Sequence, residues 1–229
     1  ASSIAMNKVL TKDHLKDHGF KLPKHMYVVQ ENVADPHAYA QVIAEVVPAP
    51  FVVKPAAGGS SLDTYLIATI PELGLALEKC LRNNDRVLVE QQIKGREATV
   101  GVVNNFRDQA TYTLPALEIV PPTKFFDYTV KYDGSTELVC PGRFSTTERD
   151  TMQLIAKQVH DSLNLKQYSR SDFIVANDGV YFLEVNTLPG MTETSLLPTA
   201  LQSVGVSYSA FVNHLILDVL KQAPHNDVV

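Results

Sequence analysis

Two carboxylates, an amide and a guanidinium stand at matching distances from a predicted turn in the second half of the chain. The turn Asn177-Asp178-Gly179, taken as a three-residue loop with glycine at the left-handed position, is typical of a β-hairpin. Counting outward from this turn places Asp172 opposite Glu184. Two residues further out, Arg170 lies opposite Asn186. Because directly opposed residues share one face of a sheet, all four side chains are predicted to point the same way.

Oxygen ligands of this kind suit a hard cation such as Mg²⁺. Two alternatives stay open. One is an exposed polar hairpin face with surface salt bridges. The other is a two-residue turn, which shifts the register by one residue, places Asp172 and Glu184 on opposite faces and removes the metal site.

A lysine at a strand end, followed by small residues, is the second feature that suggests chemistry. The predicted strand 51–55 carries Lys54, and Gly58-Gly59-Ser60-Ser61 follows it. Glycines let a backbone approach phosphate oxygens closely. The segment is no Walker motif, because no Gly-Lys-Ser/Thr follows, and a flexible hairpin loop is the alternative.

Two further segments could contact a nucleotide. The strand 87–93 runs into a hinge and offers backbone donors and acceptors to a flat base, while Glu90 and Glu97 could bind an exocyclic amine and ribose hydroxyls. Solvated glutamates at a strand edge are the alternative. In residues 125–132, aromatic residues surround Lys131, which predicts a lid that carries a cation to a phosphate. The alternative is a loop pinned to the surface by its aromatics.

These residues need elements that hold them in place. Apolar spacing predicts helices at residues 11–19, 36–47, 71–81, 145–163 and 207–221, of which the fourth opens with a capping box. Strands are predicted at 26–29, 51–55, 86–91, 98–103 and 112–114, and residues 121–142 are predicted to form a long loop. Two α+β halves, divided near residues 95–98, are expected to face each other across a cleft, where ligands commonly bind.

The composition excludes several classes of protein. The 229 residues include 20 Lys+Arg and 25 Asp+Glu, a net charge of −5, which argues against a nucleic-acid partner. Hydrophobic residues make up 45% of the chain, which excludes intrinsic disorder as the main state. No apolar run reaches the ~20 residues of a membrane helix, so no membrane partner is expected. Cys80 and Cys140 are isolated, which favours a reducing compartment.

In chain order these segments resemble the ATP-grasp enzymes and, within them, the D-alanine–D-alanine ligase family. The strings that carry the resemblance are Ala5-Met6-Asn7-Lys8, Val53-Lys54-Pro55 with Gly59-Ser60-Ser61, Val87-Leu88-Val89-Glu90 with Gly95-Arg96-Glu97, Leu114-Pro115-Ala116-Leu117-Glu118-Ile119, Phe126-Asp127-Tyr128 with Lys131-Tyr132, Ser169-Arg170-Ser171-Asp172-Phe173, and Leu183-Glu184-Val185-Asn186-Thr187-Leu188-Pro189-Gly190-Met191-Thr192 with Thr194-Ser195-Leu196. The last string is highly specific to the family, and the resemblance covers roughly residues 5–220.

The resemblance implies the α+β ATP-grasp fold, in which two lobes enclose a nucleotide cleft. The expected domains are a central lobe at residues 1–97, a C-terminal lobe with the metal site at 98–221, and a frayed tail at 222–229. The family carries an N-terminal domain before its Met-x-Lys position, so this chain is expected to be a fragment or part of a longer protein. The phosphate loop also departs from the family pattern, with Gly58 where an acidic residue is usual and Asp63 where glycine is usual.

The resemblance also implies a role for each candidate residue. The predicted ATP-binding residues are Lys8 and Lys54 (α- and β-phosphates), Ser60 and Ser61 (the loop over the phosphates), Glu90, Gln91 and Ile93 (adenine), Glu97 (ribose) and Lys131 (γ-phosphate). The predicted ligands of two Mg²⁺ ions, with Mn²⁺ as the alternative, are Asp172, Glu184 and Asn186, of which Glu184 bridges. The predicted catalytic and substrate-binding residues are Arg170 for an oxyanion, Gly190, Ser195 and Leu196 for the second D-alanine, and Ser60, Lys131 and Tyr132.

The implied reaction is the ATP-dependent ligation of two D-alanines through an acyl phosphate, which gives D-alanyl-D-alanine for peptidoglycan and cell-wall synthesis in the cytoplasm. Tyr132 beside Lys131 favours this dipeptide-forming type. The alternatives are another ATP-grasp carboxylate–amine ligase, with D-lactate or D-serine as second substrate, and a nucleotide-binding module without ligase activity. ATP and D-alanine are the expected small-molecule partners, and a homodimer is left open.

Overall fold

Two antiparallel β-sheets, one from each half of the chain, organise the computed structural model, which describes residues 1–58, 63–121 and 136–222. The helices are α1 (Ser2–Ala5), α2 (Lys8–Leu15), α3 (Pro36–Val46), α4 (Ile70–Asn83), α5 (Thr146–Ser162), α6 (Leu196–Ser203) and α7 (Tyr208–Gln222). The strands are β1 (His25–Val29), β2 (Phe51–Pro55), β3 (Tyr65–Ile67), β4 (Arg86–Gln91), β5 (Arg96–Phe106), β6 (Gln109–Thr113), β7 (Leu117–Val120), β8 (Glu137–Val139), β9 (Tyr168–Ala176) and β10 (Gly179–Asn186). Short 3₁₀ turns lie at Lys16–His18 and Gln30–Asn32.

The first sheet has the strand order β1-β4-β2-β3, and helices α3 and α4 cover one of its faces. Val53 and Val89 point into the core beneath these helices. Because side chains alternate across a strand, Lys54 and Glu90, each one residue further along, point to the opposite face. The sheet therefore presents a polar pair on the face that the helices leave uncovered.

The second sheet has the strand order β10-β9-β5-β7-β8, with β6 paired to β5. Helix α5 covers one face and buries Met152 and Val159 against Phe173 of β9. The predicted capping box is confirmed, because the Ser145 and Glu148 side chains bond each other's backbone N–H groups at the start of α5. Helices α6 and α7 pack around a separate apolar cluster of the second half.

The N-terminal helices pack with the second sheet, although they precede the first one in the sequence. Ala5 of α1 and Leu15 of α2 are buried in the same core cluster as Phe173. The chain leaves α2 through the 3₁₀ turn and Gly19, whose φ of 76° confirms the predicted stop of this helix. The division into lobes at residues 1–97 and 98–221 stays a prediction. The structure shows that the first two helices pack in the core of the second sheet.

Most predicted elements are confirmed within a few residues of their bounds. Residues 121–142 differ from the single long loop that was predicted, because β8 pairs with β7 there. Three residues are too few to show a strand period in the sequence. Helix α6 was not predicted either. Residues 122–135 lie outside the described part of the chain.

Within the described ranges, no single helix is long and apolar enough to cross a membrane, and α6 with α7 meets that test only as a pair bent by 99°.

A buried histidine lies between α5 and the second sheet. His160 is 1% exposed, and its Nδ1 lies 2.8 Å from Ser169 Oγ while its Nε2 lies 2.9 Å from Asn104 Oδ1. Burial lowers the pKa of His160 to about 4, although Asp161 acts in the opposite direction. The fold therefore accommodates the neutral ring.

We expect acid to destabilise this fold through His160. An unfolded histidine titrates near ~6.5, so below that pH the unfolded chain binds a proton that the folded chain excludes, and the free energy of unfolding falls until the pH nears the folded value. Each unit of pKa difference corresponds to about 1.4 kcal/mol. Urea denaturation at about pH 7 and about pH 4.5 should show a smaller pH dependence for H160Q than for the wild type.

The control is H18Q, which changes an exposed histidine and should keep the wild-type pH dependence. An H160Q protein with undiminished pH dependence would show that another group controls stability in this range.

Candidate active site

A cavity of about 1230 Å³ lies between the two sheets. Ten of the predicted site residues line it, namely Lys8, Lys54, Glu97, Arg170, Asp172, Glu184, Asn186, Gly190, Ser195 and Leu196. In the part of the chain that the structure describes, Glu90, Gln91 and Ile93 do not line this cavity. Ser60, Ser61, Lys131 and Tyr132 lie outside the described residues. The structure therefore brings one set of predicted residues together from both halves.

The predicted three-residue turn of the hairpin is wrong. Gly179 pairs with Ala176, so the turn has two residues. A regular ladder continued from this turn would set Glu184 opposite Ser171, on the face covered by α5. The observed ladder does not continue in this way, because its register shifts between Phe182 and Glu184.

A β-bulge at Leu183 restores the predicted pairing. Phe182 still opposes Phe173, but beyond the bulge Glu184 opposes Asp172, and the Asn186–Arg170 pair follows. The extra residue leaves Phe182 and Val185 in the core beneath α5, while Glu184 faces the cavity. Because β10 is an edge strand, the bulge disturbs one ladder only.

Asp172 is held by three neighbouring side chains. Arg170 donates two hydrogen bonds to it, from Nε to Oδ1 at 2.9 Å and from its terminal nitrogen to Oδ2 at 2.8 Å. Thr99 Oγ1 lies 2.7 Å from Oδ1, and Asn186 Nδ2 donates to Oδ2 at 3.0 Å. These contacts orient the carboxylate from its own strand, through Arg170, and from the strands on either side, through Thr99 on β5 and Asn186 on β10.

The donor set of this face fits Mg²⁺. It consists of two carboxylates, Asp172 and Glu184, and the side-chain amide of Asn186, and oxygen ligands of this type are those that Mg²⁺ prefers. The four hydrogen bonds from Arg170, Thr99 and Asn186 use the roughly four lone-pair sites of the ionised Asp172 carboxylate, so a metal ion bound there would replace at least one of them. Among the described residues no group of three or more His, Cys, Asp or Glu side chains converges, so any ion here relies on the amide as well.

Lys8 connects this face of β9 and β10 with the first half of the chain. Its Nζ lies 3.6 Å from Glu184 Oε2 and donates to the Gly58 carbonyl at 2.8 Å. The side chain of Asn7 caps α2, and the Lys8 backbone N–H donates to the Ala56 carbonyl beyond the end of β2. These bonds fix the start of α2 beside the predicted phosphate loop.

A buried carboxylate lies behind Lys54. Glu90 is 2% exposed, and its two oxygens lie 2.5 Å from Lys54 Nζ and 2.8 Å from Lys12 Nζ. Burial alone would raise the pKa of Glu90, but the two ammonium groups outweigh it and lower the pKa to about 2. The structure thus places the Glu90 side chain, which was predicted to contact adenine, between two lysines.

The start of α6 reaches the opposite end of the cavity. Ser195 is the N-cap residue of this helix, and its Oγ accepts a hydrogen bond from the Thr192 N–H at 3.1 Å. Gly190 lies so close that a Cβ atom there would be 2.9 Å from Ser195 Oγ. A helix N-terminus presents unpaired N–H groups and a partial positive charge, so this end of the cavity suits a carboxylate.

Sequence reasoning missed two residues of the site, and each had a usable signal. Lys12 follows Lys8 by four residues on α2, which is the spacing of neighbours on one helix face. Thr99 follows Glu97 by two residues on β5, which is the spacing of one strand face. Neither signal shows which partner the side chain meets, because that partner comes from a distant part of the chain.

A family model described as D-ala D-ala ligase C-terminus matches residues 14–217 of the chain. Two similar curated proteins are D-alanine–D-alanine ligases. The one from Syntrophobacter fumaroxidans is 37% identical over 218 residues, covering 94% of this chain and 68% of the relative. The one from Syntrophotalea carbinolica is 39% identical over 218 residues, covering 94% and 67%. The chain therefore spans about two thirds of the length of these relatives.

Solved structures resemble the chain over most of its length. The D-alanine–D-alanine ligase from Bacillus anthracis complexed with ATP has a TM-score of 0.78 and 26% identity, covering 96% of this chain and 69% of that chain. The VanG D-Ala:D-Ser ligase from Enterococcus faecalis has a TM-score of 0.80 and 28% identity, covering 94% and 62%. The two-sheet architecture with its central cleft is thus the ATP-grasp fold.

We expect Glu90→Gln to destabilise the protein by about 3 kcal/mol or more, because it leaves two largely buried ammonium groups without their counter-charge. Urea denaturation measures the free energy of unfolding. The matched control is Glu78→Gln, which breaks the Glu78–Arg82 pair on the surface of α4, with side chains 41% and 68% exposed. That change should cost at most about 0.5 kcal/mol. Similar losses in the two variants would mean that the Glu90 cluster contributes no more than a surface pair.

Proposed function

Since the chain belongs to the D-alanine–D-alanine ligase family, we propose that it supplies the nucleotide and metal site of an enzyme that joins two D-alanine molecules with ATP. The product, D-alanyl-D-alanine, serves peptidoglycan and cell-wall synthesis. The relatives described above are ligases of this name, and one similar solved structure is a complex with ATP.

One observation carries the proposal: carboxylates from one sheet face lysines from the other half across a single cleft. Glu184 and Asp172 lie on the second sheet, and Lys8 and Lys54 line the same cavity from the first half. Phosphoryl transfer needs cations and metal ions together around the transferring group. The cleft contains the side chains for both requirements.

We place the α- and β-phosphates of ATP at Lys8 and Lys54. Ser60 and Ser61 are proposed to close over the phosphates, and Lys131 to reach the γ-phosphate. Glu97, which lines the cavity, is assigned to the ribose. Adenine is assigned to the backbone near Gln91 and Ile93, because both oxygens of the neighbouring Glu90 carboxylate already contact lysines.

Asp172, Glu184 and Asn186 are the residues that we propose would hold two Mg²⁺ ions, with Mn²⁺ as the alternative ion. When bound, such ions supply positive charge that stabilises the transferring phosphoryl group. The bidentate contact from Arg170 keeps the Asp172 carboxylate facing the cavity.

The proposed reaction has two steps. The carboxylate of one D-alanine forms a bond to the γ-phosphorus of ATP, ADP leaves, and an acyl phosphate results. The amine of the second D-alanine then attacks the acyl carbon, loses a proton, and displaces inorganic phosphate as the amide forms. Arg170 is proposed to stabilise the oxyanion of the tetrahedral intermediate. Gly190, Ser195 and the Leu196 N–H, at the start of α6, are proposed to hold the carboxylate of the second D-alanine.

The first test is product formation. Incubation with ATP, Mg²⁺ and D-alanine should release ADP and phosphate and yield D-alanyl-D-alanine, detected by mass spectrometry. Because the chain spans about two thirds of the length of its relatives, the assay uses both this chain and the longest reading frame that contains it.

Mg-ATP binding by this chain alone, measured by calorimetry, is expected even if ligation needs the longer protein. Folded protein that binds no Mg-ATP would refute the nucleotide site, and binding without dipeptide from either form would refute the ligase activity.

A substitution of Glu184 tests the metal assignment. We expect Glu184→Gln to weaken the Mg²⁺-dependent part of ATP binding by about tenfold or more, because it removes an anionic ligand. Calorimetric titration with ATP, with and without Mg²⁺, measures this part. The control Glu45→Gln changes an exposed glutamate of α3 and should behave as the wild type. If Glu184→Gln keeps the full effect of Mg²⁺, the metal lies elsewhere.

A related ligase activity would differ in its second substrate. A D-alanine–D-serine ligase is the other candidate, because the VanG structure resembles this chain as closely as the D-alanine–D-alanine ligases do. Equimolar D-alanine, D-serine and D-lactate, with the products resolved by mass, should give mainly D-alanyl-D-alanine.

We place the reaction in the cytoplasm, in keeping with the two free cysteines, Cys80 and Cys140. A homodimer stays a prediction.

A further inference from the structure

Lys12 lies next to the proposed nucleotide site but does not line the cavity. It is 1% exposed, and its Nζ contacts the same Glu90 carboxylate that contacts Lys54. Among the residues that the structure describes, Lys12 Nζ has no partner other than this carboxylate. A single buried carboxylate thus joins two ammonium groups, of which only Lys54 reaches the cavity.

We propose that Lys12 is a positioning residue for polyphosphate binding. Its ammonium group pairs with the Glu90 carboxylate, which leaves the Lys54 ammonium available to the nucleotide. This inference rests on the proposed function, because it takes ATP as the ligand of the cleft.

The charges of the three groups give the reason. Lys12, Glu90 and Lys54 together carry one net positive charge, whereas Glu90 and Lys54 alone would form a neutral pair. The Glu90 oxygen at 2.5 Å competes with phosphate oxygens for the Lys54 ammonium. In a partly buried site the interaction of charges a few ångströms apart is only weakly screened. Removing the Lys12 charge therefore weakens the attraction for phosphate even though Lys54 itself stays in place.

Packing alone does not explain a lysine at this position. The desolvation of a buried ion pair commonly offsets its Coulomb attraction, and replacing a whole pair by apolar residues is often neutral, so a buried pair is weak evidence for a role in stability. Leu15, which is fully buried, already anchors α2 in the second core. The Lys12 ammonium group adds a buried charge to a helix that apolar contacts, its cap and the contacts of Lys8 already hold in place.

The pKa values of Lys12 and Lys54 are shifted in opposite directions, which distinguishes the two lysines. Burial lowers the pKa of Lys12. The repulsion from Lys54 also lowers it, whereas the attraction to Glu90 and Glu184 acts in the opposite direction. Burial opposes the charge of Lys54 too, but Glu90 and Glu184 outweigh it and raise the pKa of Lys54. Glu90, with a pKa of about 2, stays ionised throughout. The two shifts have opposite directions, so Lys12 loses its charge before Lys54 as the pH rises.

The experiment compares Lys12→Met, Lys12→Arg and the wild type in their binding of Mg-ATP and of adenosine, by calorimetry from about pH 7 to about pH 9.5, below the ordinary lysine pKa of ~10.4. Lys12→Met should weaken Mg-ATP binding by about tenfold at neutral pH and leave adenosine binding unchanged, because adenosine carries no phosphate. Lys12→Arg keeps its charge at all these pH values, so its ATP affinity should fall less than that of the wild type as the pH rises. The matched control is Lys16→Met, at an exposed lysine just after α2.

The outcomes are distinguishable. Wild-type protein that binds no Mg-ATP would overturn the proposed function and this inference with it. Wild-type binding together with unchanged ATP affinity in Lys12→Met would overturn the role of Lys12 alone. Equal losses for ATP and adenosine would assign Lys12 to the fold instead. If Lys12→Met does not fold, the pH profile of Lys12→Arg decides, since a profile that falls as steeply as that of the wild type would contradict the proposal.

Discussion

One extra residue in an edge strand decides which side chains face the cleft. With the two-residue turn of this hairpin, a regular ladder would direct Glu184 into the core beneath α5. A carboxylate buried there without a partner costs several kcal/mol. The bulge at Leu183 avoids this cost, because it keeps Phe182 and Val185 in the core and returns Glu184 to the side of Asp172. With this turn, burial of Phe182 and Val185 on one side of β10 and exposure of Glu184 on the other require the bulge, so the proposed metal-binding face depends on it.

The charges in the cleft are arranged in complementary pairs. Lys8 lies 3.6 Å from Glu184, and Arg170 lies 2.8 Å from Asp172. These contacts compensate the charges of the four groups in a partly enclosed space, where an uncompensated charge would be unfavourable. A polyphosphate with a divalent cation carries the same two kinds of charge, so the lysines can pair with phosphate and the carboxylates with the cation. The site can thus exchange internal pairs for pairs with the ligand.

The elements that hold the site could be predicted from the sequence, whereas the details of register and the buried charges could not. Strand patterns and the cap at Ser145 depend on neighbouring residues, so a local pattern suffices. The turn at Asn177-Asp178-Gly179 is compatible with two loop lengths, and burial of Phe182 and Val185 against α5 decides between them. The opposition of Asp172 and Glu184 was predicted correctly from an incorrect turn, since the bulge cancels the difference. The contact between Lys12 and Glu90 could not be predicted, because it depends on how α2 packs against the first sheet.

Helix α2 belongs to both halves of the structure. Leu15 is buried in the second core, whereas Lys12 pairs with Glu90 of the first sheet. At the start of the same helix, Lys8 contacts the Gly58 carbonyl of the first half and Glu184 of the second sheet. The covalent connection through residues 92–95 is therefore not the only link between the sheets, and any change in the width of the cleft must alter these polar contacts. Ion pairs weaken gradually with distance, unlike close apolar packing, so they allow small movements while opposing large ones. Lys8, whose ammonium group is proposed to bind phosphate, is thus also one of the groups that join the two halves.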